Sequence, residues 1–302
     1  MIRNFEYYIS EEMNQVTIYD YLHSRGFSHA VIVHLKKTPE SILLNGTWEY
    51  MNTRLKTGDI LTVHLIEDNG SPGIVPTNRP LDICYEDDDI LVVNKAADMP
   101  VHPSINNYEN TLANAVCYYY SRQGIPYTFR CANRLDRDTT GLTILAKHML
   151  SSAILNDSVS RRCISREYLA IAEGRTDETG TVDAPIGRKD GSAIERQIDY
   201  IHGERAVTHY RTLAYRNDLS LLLLKLETGR THQIRVHMKS IGHPLIGDFL
   251  YHPDFSHIKR QALHSFRLKF VHPISGEPMV LTAPLPKDMQ SLFPDFSIDS
   301  IV

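Results

Sequence analysis

A chain of 302 residues exceeds what one hydrophobic core ordinarily organises, so about two domains are expected, one of them large. Its residues are 42% hydrophobic and 23% charged, proportions that exclude disordered, collagen-like and coiled-coil classes. The formal net charge of −4 gives the molecule as a whole no attraction for a polyanion, and no apolar run approaches the roughly 20 residues of a membrane span.

Taken in chain order, the opening MIRNFEYYISEEM mixes Arg3 with Glu6, Glu11 and Glu12 and lacks the apolar stretch of a secretion signal. Residues 16–23 and 29–35 carry helical spacing, and 42–45 and 60–65 read as strands around turns at Asn45-Gly46 and Thr57-Gly58. A small α+β unit is therefore predicted over 1–67, with six basic and eight acidic residues, or −2. Turn formers crowd Ser71-Pro72-Gly73 and Arg79-Pro80, which predicts a linker over 68–80.

In the remainder, 81–302, strands at 83–85 and 90–94 form a hairpin across the acidic turn 86–89, and a helix over 111–120 starts beside Thr111. Strands follow at 142–146, 168–172, 207–213 and 219–226, with helical stretches around 150–159 and 233–241. Strict βαβ alternation is missing, so the expectation is an α+β fold with a large mixed or antiparallel sheet. The cysteines Cys84, Cys117, Cys131 and Cys163 lie 33, 14 and 32 residues apart, which fits neither zinc spacing nor a disulfide scaffold and suits reduced thiols in a cytoplasm.

Two clusters concentrate polar chemistry. The first is NRLDRDTTGL, residues 133–142. It reads either as a turn in which Asp136 and Asp138 cap local backbone donors beside solvated arginines, or as a carboxylate held ionised among cations and available as a nucleophile or base. The second is TGRTHQIRVHMKSIGHPLIGD, residues 228–248, in which Gly229 permits a turn. Residues 229–270 carry seven basic against two acidic side chains, or +5, and residues 129–166 carry +4. This asymmetry marks a face for a polyanion, or else a merely solvated basic face. His232 and His237 are five apart with no glutamate suitably placed, and neither a GxGxxG nor a GxxxxGK[ST] loop occurs, so no metal and no nucleotide cofactor are expected.

With these residues in view, the chain resembles the RluA-type family of RNA pseudouridine synthases from Leu81 to about Pro286. The blocks that carry it are DICYEDDDILVVNKAADMPVHP (82–103), NRLDRDTTGL, and TGRTHQIRVHMKSIGHPLIGD continued by ALHSFRLKFVHP (262–273). The resemblance implies isomerisation of uridine to pseudouridine in structured RNA, ribosomal rather than transfer RNA, by a cytoplasmic monomer without cofactor or metal. It makes Asp136 the nucleophile, attacking either the base or the anomeric carbon. It makes Tyr168 the residue that packs on the target base and removes the carbon 5 proton, and Arg235 the ion-pair partner of Asp136. Arg134 would occupy the place the flipped base vacates, and Arg137, Arg230, His232 and Gln233 would touch RNA.

Over about Val16 to Glu67 the N-terminal unit resembles the S-four-type RNA-binding module, although SHAVIVHLKK has histidines and valines where that family has arginines. Asn133 stands where histidine is commoner. Lys95-Ala96-Ala97-Asp98 replaces Lys-Pro-Ala-Gly, which puts Asp98 where a residue able to take positive φ is expected. The rival readings are a catalytically silent RNA-binding or ribosome-assembly protein of the same fold and a glycoside hydrolase, which ordinarily needs two carboxylates flanking the bond.

Overall fold

The structure, a computed structural model, describes residues 1–301. A first sheet is built from β1 (Ile2–Tyr8), β2 (Ile42–Leu44), β3 (Thr47–Trp48) and β4 (Ile60–Ile66) in the order β1-β4-β2-β3. Two helices, α1 (Ile18–Ser24) and α2 (His29–Lys37), cover it. Each starts where a hydroxyl accepts from the first turn, Thr17 from the Asp20 N–H at 3.1 Å and Ser28 from the Val31 N–H at 3.4 Å.

The second sheet has nine strands. The hairpin of β5 (Ile83–Glu86) and β6 (Ile90–Lys95) leads to α3 (Leu112–Ser121), which begins with a reciprocal cap between Thr111 and Asn114. Then come β7 (Thr140–Ala146), α4 (Met149–Ser160), β8 (Ser165–Glu173) and β9 (Thr179–Asp183). A separate small ribbon, β10 (Ile186–Arg188) with β11 (Arg196–Ile198), precedes the long hairpin of β12 (Val207–Arg216) and β13 (Leu219–Leu226). The chain continues through α5 (Gln233–Ser240), β14 (Leu263–Val271), β15 (Pro278–Thr282) and α6 (Lys287–Gln290).

The order β5-β6-β7-β14-β8-β13-β12-β9, with β15 on β14, is antiparallel except where β7 runs parallel to β14. This is the α+β architecture with a large mixed sheet that the sequence predicts. The central strands β7 and β8 are almost wholly buried, as continuous apolar runs in the middle of a sheet must be.

The two sheets are joined by direct packing. Leu150, Ala153 and Ile154 of α4 complete the core beneath the first sheet. Arg3 reaches Asp89 at 2.8 Å, Glu67 pairs with Arg130, and Glu67 also accepts from the Met149 N–H at 2.6 Å. Residues 68–80 form no helix or strand but are tied down, with the Phe129 N–H on Ser71 Oγ at 2.8 Å and the Thr77 N–H on the Asn114 carbonyl at 3.1 Å.

Candidate active site

The loop entering β7 and the turn joining β13 to α5 meet at a cavity of about 440 Å³ lined by Arg134, Asp136, Arg166, Tyr168, Gly229, His232 and Arg235 among others. The loop is fixed from several directions. The amide of buried Asn133 donates to the Leu142 carbonyl at 3.1 Å and accepts from the Ile144 N–H at 2.8 Å, pinning the loop to β7, so its hydrogen-bonding capacity is used structurally. Beneath the loop, the Lys95 ammonium donates to the carbonyls of Ala96, Met99 and Arg137 at 2.8–2.9 Å. Burial draws its pKa down to about 7 against the attraction of Asp138 and Asp136. Asp98 itself adopts φ +51°, and its N–H donates to Asp138 at 3.2 Å. The departure from glycine thus keeps the backbone shape of the loop rather than altering it.

At the centre, Arg235 of α5 is 1% exposed. Its Nε and Nη2 grip both oxygens of Asp248 at 2.6 and 2.7 Å, and its Nη1 donates to Asp136 Oδ2 at 2.9 Å. Asp248 is fully buried and also accepts from the N–H groups of Leu250 and Tyr251. These carboxylates hold the Arg235 pKa above its ordinary value although burial opposes it. Tyr251 and Phe249 stack against the guanidinium, with ring centres 5.0 and 5.5 Å from Cζ. Arg235 is therefore a fixed cation, aimed by Asp248 and two aromatic rings. It holds Oδ2 of Asp136 and leaves Oδ1 without a partner among the described residues.

Sequence reasoning did not single out Asp248, which lies 13 residues from Arg235. That distance along the chain carries no periodic signal, and only its place in the quoted block 228–248 hinted at a role.

His232 opens α5 with φ +57°. Its Nδ1 lies 2.9 Å from the Tyr251 hydroxyl, which accepts the Arg196 N–H at 2.8 Å. Its Nε2 lies 3.9 Å from Asp136 Oδ2. Burial lowers the His232 pKa, which keeps the imidazole neutral near pH 7. Tyr168, 5% exposed in central β8, faces the same cavity. Burial raises its phenol pKa, with Asp136 adding to the effect and Arg166 opposing it. The resting phenol is thus protonated, which weighs against its use as a free base.

The arginines and Gln233 divide. Arg134 lines the cavity, is exposed, and has no hydrogen-bond or ion-pair partner among the described residues. Arg230 lines it too but pairs with Glu204. Arg137 points to a different cleft, where it pairs with Asp138 at 2.9 Å and lies over Phe249. Gln233 departs from the expectation that it touches RNA. Its side chain is 3% exposed, accepts from Thr228 and the Arg230 N–H, and donates to Val207 and Thr208. With its hydrogen-bonding groups engaged inside the fold, it braces the turn that presents Arg230 and His232. Gly229 is also not in the left-handed region, so the reason for a glycine there is space, not a turn.

Among the described residues, one group of potential metal ligands gathers, Asp87, Asp89 and His272. Asp87 accepts from the N–H groups of Asp89 and Ile90, and Asp89 holds Arg3 and His148. These atoms therefore cap the β5–β6 turn and join the two sheets.

Fold and site together define an enzyme that presents one carboxylate, on a central mixed sheet, in a cleft rich in arginine. A family profile described as RNA pseudouridylate synthase matches residues 89–240. The RNA pseudouridine synthase YjbO of Bacillus subtilis, itself described as uncharacterized, is 40% identical over 92% of this chain and 98% of that protein. Ribosomal large subunit pseudouridine synthase D of Haemophilus influenzae is 44% identical over 71% of this chain and 70% of that one. Among solved structures, human RNA pseudouridylate synthase domain containing 1 superposes with a TM-score of 0.60 at 28% identity, covering 74% of this chain and 93% of the other. The chain belongs to the RNA pseudouridylate synthase family. It is an RNA-modifying isomerase that converts uridine to pseudouridine.

Proposed function

We propose that this enzyme isomerises uridine in the RNA of the large ribosomal subunit, acting in the cytoplasm with Asp136 as its nucleophile. The observation that carries the reading is the clamp on Asp136. One oxygen is held at 2.9 Å by a buried arginine that is itself locked by Asp248, the other has no partner among the described residues, and Asp136 lines the cavity. An adjacent guanidinium fixes a carboxylate's direction, so Oδ1 is the attacking oxygen. Asp136 is the one carboxylate among the residues lining the cavity, which suits a single covalent nucleophile better than the acid pair of a glycoside hydrolase. The relatives named as acting on the large ribosomal subunit, 42–44% identical over about 70% of both chains, support the choice of RNA.

In this reading Oδ1 attacks the uridine, at the anomeric carbon or at the base, and the glycosidic carbon–nitrogen bond breaks. The uracil turns, carbon 5 bonds to the anomeric carbon and loses its proton, the former glycosidic nitrogen takes up a proton, and the carboxylate is released. Tyr168 packs its ring on the uracil. Its role in taking the carbon 5 proton requires the phenol to lose the proton that burial favours. Arg134, unpaired at the mouth, fills the stack left by the flipped uridine, whose extrusion costs a few kcal/mol.

The test is tritium release from carbon 5 of labelled uridine in large-subunit RNA taken from cells lacking the protein. Wild type should release tritium, and Asp136→Asn should fall by about 10⁴-fold or more. If neither protein released tritium from ribosomal or transfer RNA while both bound it, a silent RNA-binding protein would replace this reading.

A further inference from the structure

Two arginines at the cleft, Arg134 and Arg166, have no counter-ion among the described residues. Arg166, the second residue of β8, lines the Asp136 cavity and also the groove that continues from it past Arg134 to His102, Pro103 and Val159. Arg235 is held by two carboxylates and Arg230 by Glu204. Arg166, partly buried, has no hydrogen bond or ion pair from its side chain among the described residues. Its guanidinium lies against the turn that leads into α5. A Cβ added to Gly229 would lie 2.6 Å from its Nη1, 3.0 Å from Nη2 and 3.2 Å from Cζ, so the guanidinium rests on the bare backbone of Gly229. The absence of a positive φ there leaves this contact as the reason for glycine.

A cation that is partly withdrawn from water and unpaired carries a desolvation cost that an anionic ligand would offset. The planar fork of arginine matches a phosphate in two-point contact. Arg134 is the groove's second unpaired arginine, and Asp136 is again the one carboxylate lining it. We infer that Arg166, seated on Gly229, anchors a phosphodiester next to the target uridine and so directs the flanking RNA strand into the groove towards His102. This rests on the cleft being where the RNA substrate binds. It gives Arg166 a role in substrate positioning that none of the motifs suggested.

The test measures binding of a large-subunit RNA transcript across a series of salt concentrations, in the Asp136→Asn background so that no turnover intervenes. Adding Arg166→Gln should weaken binding roughly tenfold near physiological salt and reduce the slope of log Kd against log salt by about 0.7, the loss of one phosphate contact on single-stranded RNA. Arg166→Lys should retain the slope. Gly229→Ala should weaken binding when Arg166 is present and change little when it is glutamine, because both substitutions remove the same contact. In the active enzyme, Arg166→Gln should raise KM with kcat nearly unchanged.

An unchanged slope with Arg166→Gln overturns the anchor. So does a fall in kcat with Kd unchanged, which would make Arg166 a partner of Tyr168 instead. If wild type neither binds nor modifies the large-subunit transcript, the choice of RNA fails, and the same slopes read on a transfer RNA transcript decide the anchor separately.

Discussion

Asp248 shows how a residue that never meets substrate can set the chemistry. It is fully buried, and with it the Arg235 guanidinium is bound on three nitrogens, two by Asp248 and one by Asp136. Asp248→Asn keeps the volume and removes the charge, which leaves a buried cation with one partner. Breaking a buried pair in this way costs about 3–5 kcal/mol, and even a 1 Å drift of a catalytic group can cost about 10²-fold in rate. We expect a lower urea midpoint and a fall in kcat of about 10- to 100-fold at unchanged KM. Steady-state kinetics beside urea titration checks this, and a variant with wild-type kcat would show that Arg235 needs no such brace. Asp136 and Arg235 could be singled out because they lie in dense polar clusters, whereas Tyr168 was named through the family resemblance alone. The sequence did not expose the division of labour around them. Gln233 and Arg137 are polar residues in the same motifs, but hydrogen bonds to Val207 and Thr208 engage the Gln233 amide inside the fold, and Arg137 pairs with Asp138 in a different cleft. Such partners are set by strand pairing and not by spacing.

At the level of elements, the catalytic loop depends on the junction where β7 meets β14, with Thr140 opposite His264 and Gly141 opposite Ser265. Gly141 has φ +109°, and a Cβ on it would come 2.3 Å from the Ser265 carbonyl oxygen. Backbone on both sides leaves nothing flexible to yield. Gly141→Ala is therefore expected to force β14 away from β7, destabilise the protein by about 2–4 kcal/mol and impair activity through the displaced loop. Thermal unfolding beside the tritium assay measures both effects, and an alanine variant melting with wild type would refute the close approach. Apolar runs made β6, β7, β8 and β13 readable, as strands buried on both faces should be. β1 was missed because its IRNFEYY sequence buries Phe5 alone and shows polar or exposed positions elsewhere. β14, with Leu263, Phe266, Leu268 and Phe270 buried, was quoted for its resemblance and not read as a strand. Its inward residues follow no strict alternation, because a register shift between Ser265 and Arg267 breaks the period.

For the molecule as a whole, linkage between protonation and folding gives the most general test. His264 sits at that same junction, with Nδ1 2.9 Å from the Thr140 hydroxyl and the ring completely buried. Burial, aided by the positive charge of Arg260, lowers its pKa to about 4 although Asp288 pulls the other way. Burial likewise lowers the pKa of His102, His232 and His237. An unfolded histidine titrates near 6.5. Below that value the unfolded chain takes up protons that the folded chain refuses, so the stability held by the neutral rings is complete above about pH 6.5. It drains away as the pH falls towards 4. For His264 alone the interval corresponds to about 3 kcal/mol. Asp89, lowered to about 2 by hydrogen bonds from His148 and Arg3 against burial, acts in a more acidic window, and Glu86, lowered from 4.5 by Lys147, Tyr119 and Tyr120 against burial, adds only at the acid end. The urea midpoint should fall steadily between pH 7 and pH 4.5 at constant m-value. His264→Gln should start lower, because a buried site is disturbed, and should lose stability less steeply across the same interval. A wild-type midpoint flat over that range would mean that the buried histidines are already charged in the fold. Parallel slopes for wild type and variant would instead assign the acid sensitivity to the other rings, two of which, His232 and His237, belong to the α5 segment that carries Arg235.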